Sequence, residues 1–105
     1  AAGIAILYKE AGITAQDVDR LCLAGAFGNY LDRENAVALG IFPGIPVEKI
    51  IPVGNAAAEG AGLCLVSLAE LVLSDEVAAG VKPVELSARS DFTDLWINCM
   101  NFPTP

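Results

Sequence analysis

The segment from Leu21 to Leu31, Leu-Cys-Leu-Ala-Gly-Ala-Phe-Gly-Asn-Tyr-Leu, constrains the fold more than any other. A short apolar run meets Gly25 and Gly28, and Asp32 beyond them can cap a helix. Glycine lets the backbone turn sharply and lets another group approach where a Cβ would block it. A strand ending in such a turn can present backbone amides to a ligand at the lip of a sheet. The plan repeats downstream. Ile50-Ile-Pro-Val-Gly54 is a second short strand closed by a glycine, and Asn55-Ala-Ala-Ala opens a helix of very small residues. Two such strand–glycine–helix units predict an α/β fold and suggest half of a nucleotide cleft.

A chain of 105 residues holds one small domain at most. Yet 54% of its residues are hydrophobic, 18% are charged, and the mean hydropathy is +0.54. A free-standing domain this small has too much surface for its volume to hide that much apolar material. The opening residues read as a helix already under way, closing at Gly12. The expectation is therefore a single partial domain over residues 1–105, the C-terminal part of a larger protein. A compact obligate homodimer is the alternative.

Charge removes several classes of partner. Six Lys and Arg stand against thirteen Asp and Glu, a net charge of −7, with no basic patch or basic helix to meet nucleic acid or an anionic membrane. No apolar run approaches the ~20 residues of a membrane span. The three cysteines, Cys22, Cys64 and Cys99, are widely spaced in apolar stretches and read as buried thiols of a cytoplasmic protein. With no His and no C-x-x-C pair, neither a metal nor an iron–sulfur site is expected within this chain.

Along the chain, a first helix over about residues 1–11 would turn Ile4, Leu7 and Ala11 inward. Thr14-Ala-Gln-Asp17 has capping-box spacing. Residues 19–24 form a strand apolar on both faces, as a covered sheet requires. Asp32 caps a helix from Arg33 to about Leu39, stopped by Gly40. Val47-Glu-Lys forms one turn before the strand from Ile50 to Val53, which Pro52 demotes to an edge. Asn55 caps the longest helix, from Ala56 to about Leu73, whose second half is apolar on most sides and should be largely buried. Ser74–Val81 makes a short helix or turn, Val84–Ser87 a short strand. Ser90 caps a last helix over Asp91 to about Asn101 with Phe92, Leu95, Trp96 and Cys99 inward, and Pro103 and Pro105 close the chain.

The candidate site is made of backbone more than of side chains. Neither a G-x-x-x-x-G-K-[ST] loop nor a full G-x-G-x-x-G fingerprint is present, so a phosphate would lack its partner lysine and adenosine contact fits better. A plain strand–helix corner would also use glycines. Gly60 and Gly62 lie within one helical turn, each costing on the order of 1 kcal/mol against Ala. Close approach of another helix, a hinge, or simple tight packing would offset that cost. Glu59 near the helix start reads as cap or solvent duty. No catalytic set can be assembled without histidine or paired carboxylates.

Several stretches together carry a resemblance: Asp19-Arg-Leu-Cys-Leu-Ala-Gly-Ala-Phe-Gly-Asn-Tyr-Leu-Asp32, Glu34-Asn-Ala-Val37, Val53-Gly-Asn-Ala-Ala57, Val84-Glu-Leu-Ser, Asp91-Phe92 and Phe102-Pro103. In order and wording the chain resembles the C-terminal domain of the reductive activators of corrinoid proteins. Those proteins carry an ATPase domain of the sugar kinase, heat-shock chaperone and actin superfamily. The resemblance implies a partial actin- or sugar-kinase-like (ribonuclease H-like) lobe, a short mixed sheet with flanking helices. It implies a whole protein that couples ATP and Mg to reduction of a cobalt(II) corrinoid to cobalt(I), with electrons from an upstream [2Fe-2S] domain. The client would be a corrinoid protein of methyl-transfer metabolism; the rest of its own chain and a second copy would be further partners. By the same resemblance Gly25, Ala26, Phe27, Gly28 and Asn29 form the adenosine wall, and Gly54, Asn55, Ala56, Gly60 and Gly62 belong to a hinge helix. No catalytic or metal residue is expected in this chain, because the cluster cysteines and the phosphate- and Mg-binding acids of the family lie upstream. An interaction or dimerisation module, or a sibling ATPase with another client, remains open. The Asn29-Tyr30-Leu31 tail favours the corrinoid branch.

Overall fold

A computed structural model describes residues 1–101, with every side chain among them except that of Phe27. Phe102-Pro103 of the resemblance and the closing Pro103 and Pro105 lie outside the described residues. Six helices are present among those described: α1 (Ala2–Ala11), α2 (Ala26–Tyr30), α3 (Arg33–Ala38), α4 (Ala56–Val66), α5 (Leu68–Gly80) and α6 (Ser90–Asn98). Two short strands, β1 (Leu21–Leu23) and β2 (Ile50–Pro52), pair in one sheet, and single 3-10 turns lie at Ala15–Asp17 and Val47–Lys49. The chain divides into two compact units. One holds Ala1–Cys22, Leu31–Ile51 and the chain from Val84 on; the other holds Leu23–Tyr30 and Pro52–Pro83.

The first unit contains the core. Ala2 and Ile6, one turn apart on α1, are buried with Ala36 of α3, Phe42 and Ile45 of the proline-punctuated connection, and Ile50 at the start of β2. α1 ends as its sequence predicts. Gly12 takes a left-handed φ of 65°, its N–H bonds the Lys9 carbonyl, and the Ile13 N–H bonds the Tyr8 carbonyl at 3.0 Å, a Schellman closure. Thr14 and Asp17 meet as expected: the Asp17 carboxylate accepts the Thr14 N–H at 2.8 Å and its hydroxyl at 2.7 Å. Gly44 (φ +74°) lies against the first 3-10 turn, and a Cβ there would stand 2.7 Å from that of Ala15. Lys49 donates to the Gln16 and Val18 carbonyls, which ties the second 3-10 turn to the first.

The inward face of α1 differs from the expected one. Ile4 is half-buried, while Leu7 and Ala11 are exposed. The face turned in is that of Ala2, Gly3 and Ile6, with the Leu86 side chain packed beside Gly3 at ordinary contact distance, 3.6 Å from where a Cβ would be. Val84–Ser87 is not a strand. The Glu85 carboxylate accepts the Ser87 N–H and hydroxyl, a local bond that competes with sheet pairing. α6 begins at Ser90 itself, with Arg89 in the cap position and no side-chain cap bond. The Arg89 guanidinium is engaged elsewhere, forking onto both oxygens of Asp91 at 2.9 Å and reaching Glu10 at 2.6 Å, while Lys9 joins Asp91 at 2.7 Å. Phe92 and Leu95 are half-buried as expected, but Trp96 and Cys99 are exposed.

The second unit holds the C-terminal end of the strand pair and a helix hairpin. Leu23 accepts the Val53 N–H at 2.9 Å and the Gly25 N–H bonds Gly54 at 2.7 Å; both contacts advance the same way, so the strands are parallel. The expected cover on both faces of β1 is not made by the described residues, since Cys22 and Ala24 are exposed. The long helix expected over 56–73 is two helices. Ser67 leaves helical geometry (φ −140°, ψ 115°) and its hydroxyl accepts the Glu70 N–H, starting α5, which runs on through Ser74 to Gly80. Serine competes for backbone in this way and is a strong cap. Neither helix has a buried residue, and Leu65, Val66 and Leu68 are 86%, 84% and 76% exposed. Two helices that pack on each other cover one stripe each, so helices apolar on most sides keep the rest open. The thiols also depart from expectation: Cys22 and Cys99 are exposed, and half-buried Cys64 points its S–H at the Glu70 carbonyl at 3.8 Å.

The ion cluster on α1 and α6 has a pH signature. Arg89 first, then Lys9, holds the Asp91 carboxyl well below the usual carboxylate range. A carboxylate depressed in the fold contributes stability above its unfolded value of about 3.9, and that contribution disappears as pH falls toward the folded value. Urea unfolding should therefore show Asp91→Asn less stable than the parent near neutral pH, with the gap narrowing steadily below about pH 4. A gap independent of pH would contradict this.

Candidate functional site

The two glycine corners expected from sequence come together at the C-terminal ends of the strands. Gly25 has φ +88° and Gly54 has φ +66°, a region that other residues enter only with strain. The 2.7 Å bond from the Gly25 N–H to the Gly54 carbonyl joins the corners. At neither glycine would a Cβ meet any described atom within 4 Å, so among the described residues the backbone there is bare and open. Ligands of parallel α/β sheets bind outside such strand ends.

A helix leaves each corner. The turn expected to run from Gly25 to Asp32 instead closes at once into α2, and Asp32 caps the separate α3 by accepting the Asn35 N–H at 2.9 Å. Small side chains make that early closure possible: Ala26, Gly28 and Asn29 occupy most of α2. Of the predicted adenosine wall, Ala26 and Asn29 are exposed, Gly28 is buried, and the side chain of Phe27 lies outside the described ones. Asn55 caps α4 as expected, its side-chain oxygen accepting the Ala58 N–H at 3.2 Å. Ala56 is exposed beside it. Gly60 and Gly62 lie further along α4, and no described atom comes within 4 Å of a Cβ built on either.

The corner carries no charge. No side chain from Leu23 to Tyr30, or from Pro52 to Ala58, is ionisable except the Tyr30 phenol; Glu59 is the first charged group beyond. Such a surface offers backbone dipoles and a flat apolar approach, which suits an uncharged ring system better than proton transfer or metal chemistry. Among the described residues no three His, Cys, Asp or Glu side chains converge as a metal would require.

Sequence inspection missed a separate feature in the first unit: an apolar groove of about 790 Å³ lined by Val37, Leu39, Phe42, Pro43, Ile45 and Cys99. It shares no residue with the glycine corner. Its sequence signal is the apolar, proline-punctuated connection Ile41–Pro46.

Two comparisons bear on this arrangement. The family described as the C-terminal domain of RACo, the ASKHA domain, matches residues 1–105. The chain is also similar to the corrinoid activation enzyme RamQ of Eubacterium limosum, with 34% identity over 98 residues, which is 90% of this chain and 16% of that protein. The chain thus spans about a sixth of the length of the curated relative it matches.

Asn55 orders the start of α4 at the corner. Asn55→Ala should cost about 1 kcal/mol in chemical unfolding. It should also speed amide exchange in the first turn of α4 while leaving α1 amides unchanged. Unaltered exchange at Ala58 would show that the cap is not formed.

Proposed function

Because the chain belongs to the family of C-terminal ASKHA domains of corrinoid activators, we propose that it supplies part of an ATP site that drives reductive activation of a corrinoid protein. What supports this most is the joined pair of glycine corners, Gly25 N–H to Gly54 carbonyl at 2.7 Å, open on both Cβ sides and free of charge. Gly25, Ala26, Phe27 and Asn29 form the wall against adenosine, with Gly28 buried in the same turn. The helix from Asn55 through Gly60 and Gly62 is the hinge about which lobes of the whole protein close on nucleotide and Mg. Closure does work only through its different affinity for nucleotide in the open and closed states.

In the whole protein, ATP hydrolysis to ADP and phosphate accompanies transfer of one electron to the client's cobalt(II) corrinoid, giving cobalt(I). The electron comes from a [2Fe-2S] domain upstream of this chain. The residues of this chain bind and orient the nucleotide and hold no redox group in that scheme. The same reading puts the protein in the cytoplasm.

Gly25→Val in the full-length protein tests this. A branched side chain at φ +88° adds strain and fills the open approach. A variant that still folds by circular dichroism should bind ATP about tenfold or more weakly, a loss of about 1.4 kcal/mol. Unchanged affinity would remove the adenosine assignment.

One observation favours a second role, as an association module. The exposed apolar residues of α4 and α5, Leu65, Val66 and Leu68 foremost, form a surface that soluble monomers seldom leave open. They cover either the rest of the polypeptide or a second copy. Sedimentation of this chain alone should show self-association together with binding of an apolar dye. A clean monomer that binds no dye would argue against that role.

A further inference from the structure

The glycines at 25 and 28 stand three residues apart in one motif, yet different causes require them. Gly25 has positive φ and open space beside it, so its backbone conformation selects glycine. Gly28 is not among the positive-φ glycines, so conformation does not explain it. Space does. A Cβ on Gly28 would lie 2.9 Å from the Leu23 Cβ, 3.0 Å from the Leu23 carbonyl oxygen and 3.2 Å from its carbon. Real side chains essentially never pack as closely as the first of these, and the other two, both to backbone, are tighter than nine in ten real contacts. Gly28 is also buried.

The atom it presses on is a junction. The Leu23 oxygen accepts the Val53 N–H at 2.9 Å, the bond next to the one between Gly25 and Gly54. α2 therefore rests on the carbonyl that holds the two strand ends together. A methyl group at position 28 must either lift α2 away or push the Leu23 carbonyl off its line to Val53. Both displace the backbone that leads, two residues later, to Gly25.

We propose that Gly28 is a positioning residue of the nucleotide corner, acting through the Leu23 carbonyl to set where the Gly25 amide stands, and not a contact to the ligand. This rests on the ATP assignment of that corner.

The experiment uses the full-length protein and two variants, Gly28→Ala and Gly28→Ala combined with Leu23→Gly. The second removes the Cβ that the new methyl would strike. Amide exchange at Val53, and the KM and kcat of ATP hydrolysis, are read in each. Gly28→Ala should speed exchange at Val53 about tenfold or more and raise the KM for ATP about tenfold with kcat little changed. A merely destabilising change would lower the active fraction, hence apparent kcat, and leave KM alone. Parent-like exchange and KM in Gly28→Ala would overturn the proposal. Should the single variant fail to fold, the double variant decides. A KM that follows Val53 exchange, both restored or both still raised, supports positioning; a raised KM with parent-like Val53 exchange in a folded double variant means that position 28 itself meets nucleotide and overturns it. If the parent protein does not bind ATP, the functional assignment fails, while exchange at Val53 still decides whether Gly28 holds the strand junction.

Discussion

Two hydrogen bonds at the ends of the strand pair organise the candidate site: Val53 N–H to Leu23, and Gly25 N–H to Gly54. The strands are too short to form a stable sheet by themselves, with three residues assigned to each. Their pairing nevertheless delivers two chain reversals to one place. Each reversal needs a left-handed residue, and each opens directly into a helix. Moving either glycine would separate the corners, and the open backbone between them would be lost.

The chemistry open to such a corner is narrow. From Leu23 to Tyr30 and from Pro52 to Ala58 it has no carboxylate, amine, imidazole or thiol, only amides, carbonyls, small or apolar side chains and the Tyr30 phenol. Such a corner offers a ligand backbone and apolar contacts, the basis of the binding role proposed for it. That agrees with membership in a family named for the ASKHA domain of corrinoid activators, and with a chain covering only 16% of the relative's length. The exposed apolar helices α4 and α5 add an apolar surface of the kind that soluble monomers seldom leave open.

Local rules wrote much of this fold legibly. Gly12, Asp32 and Asn55 end or start helices where cap chemistry says they should, and Thr14 with Asp17 closes its box. These signals depend on a few neighbouring residues and on nothing distant. The errors arose where a distant or competing contact decides. Ser67 breaks a helix that hydrophobicity alone would continue, because its hydroxyl can cap a new one. Arg89 forgoes capping order for an ion cluster with residues on α1. Burial of Leu65, Val66 and the cysteines was inferred from composition, which measures how apolar a segment is but not whether anything lies against it. At the site, Gly25 and Gly54 were visible as a pattern. That they are bonded to each other, and that Leu23 carries the junction, needed coordinates.

Photolabelling the full-length protein with an azidoadenosine analogue of ATP, followed by mapping of the modified peptide, tests the central claim most directly. A purine lying on the glycine corner will attach to residues 23–31 or 53–58, and excess ATP will suppress the label. Label suppressed by ATP but found only outside those two segments would place the adenosine elsewhere and contradict the account.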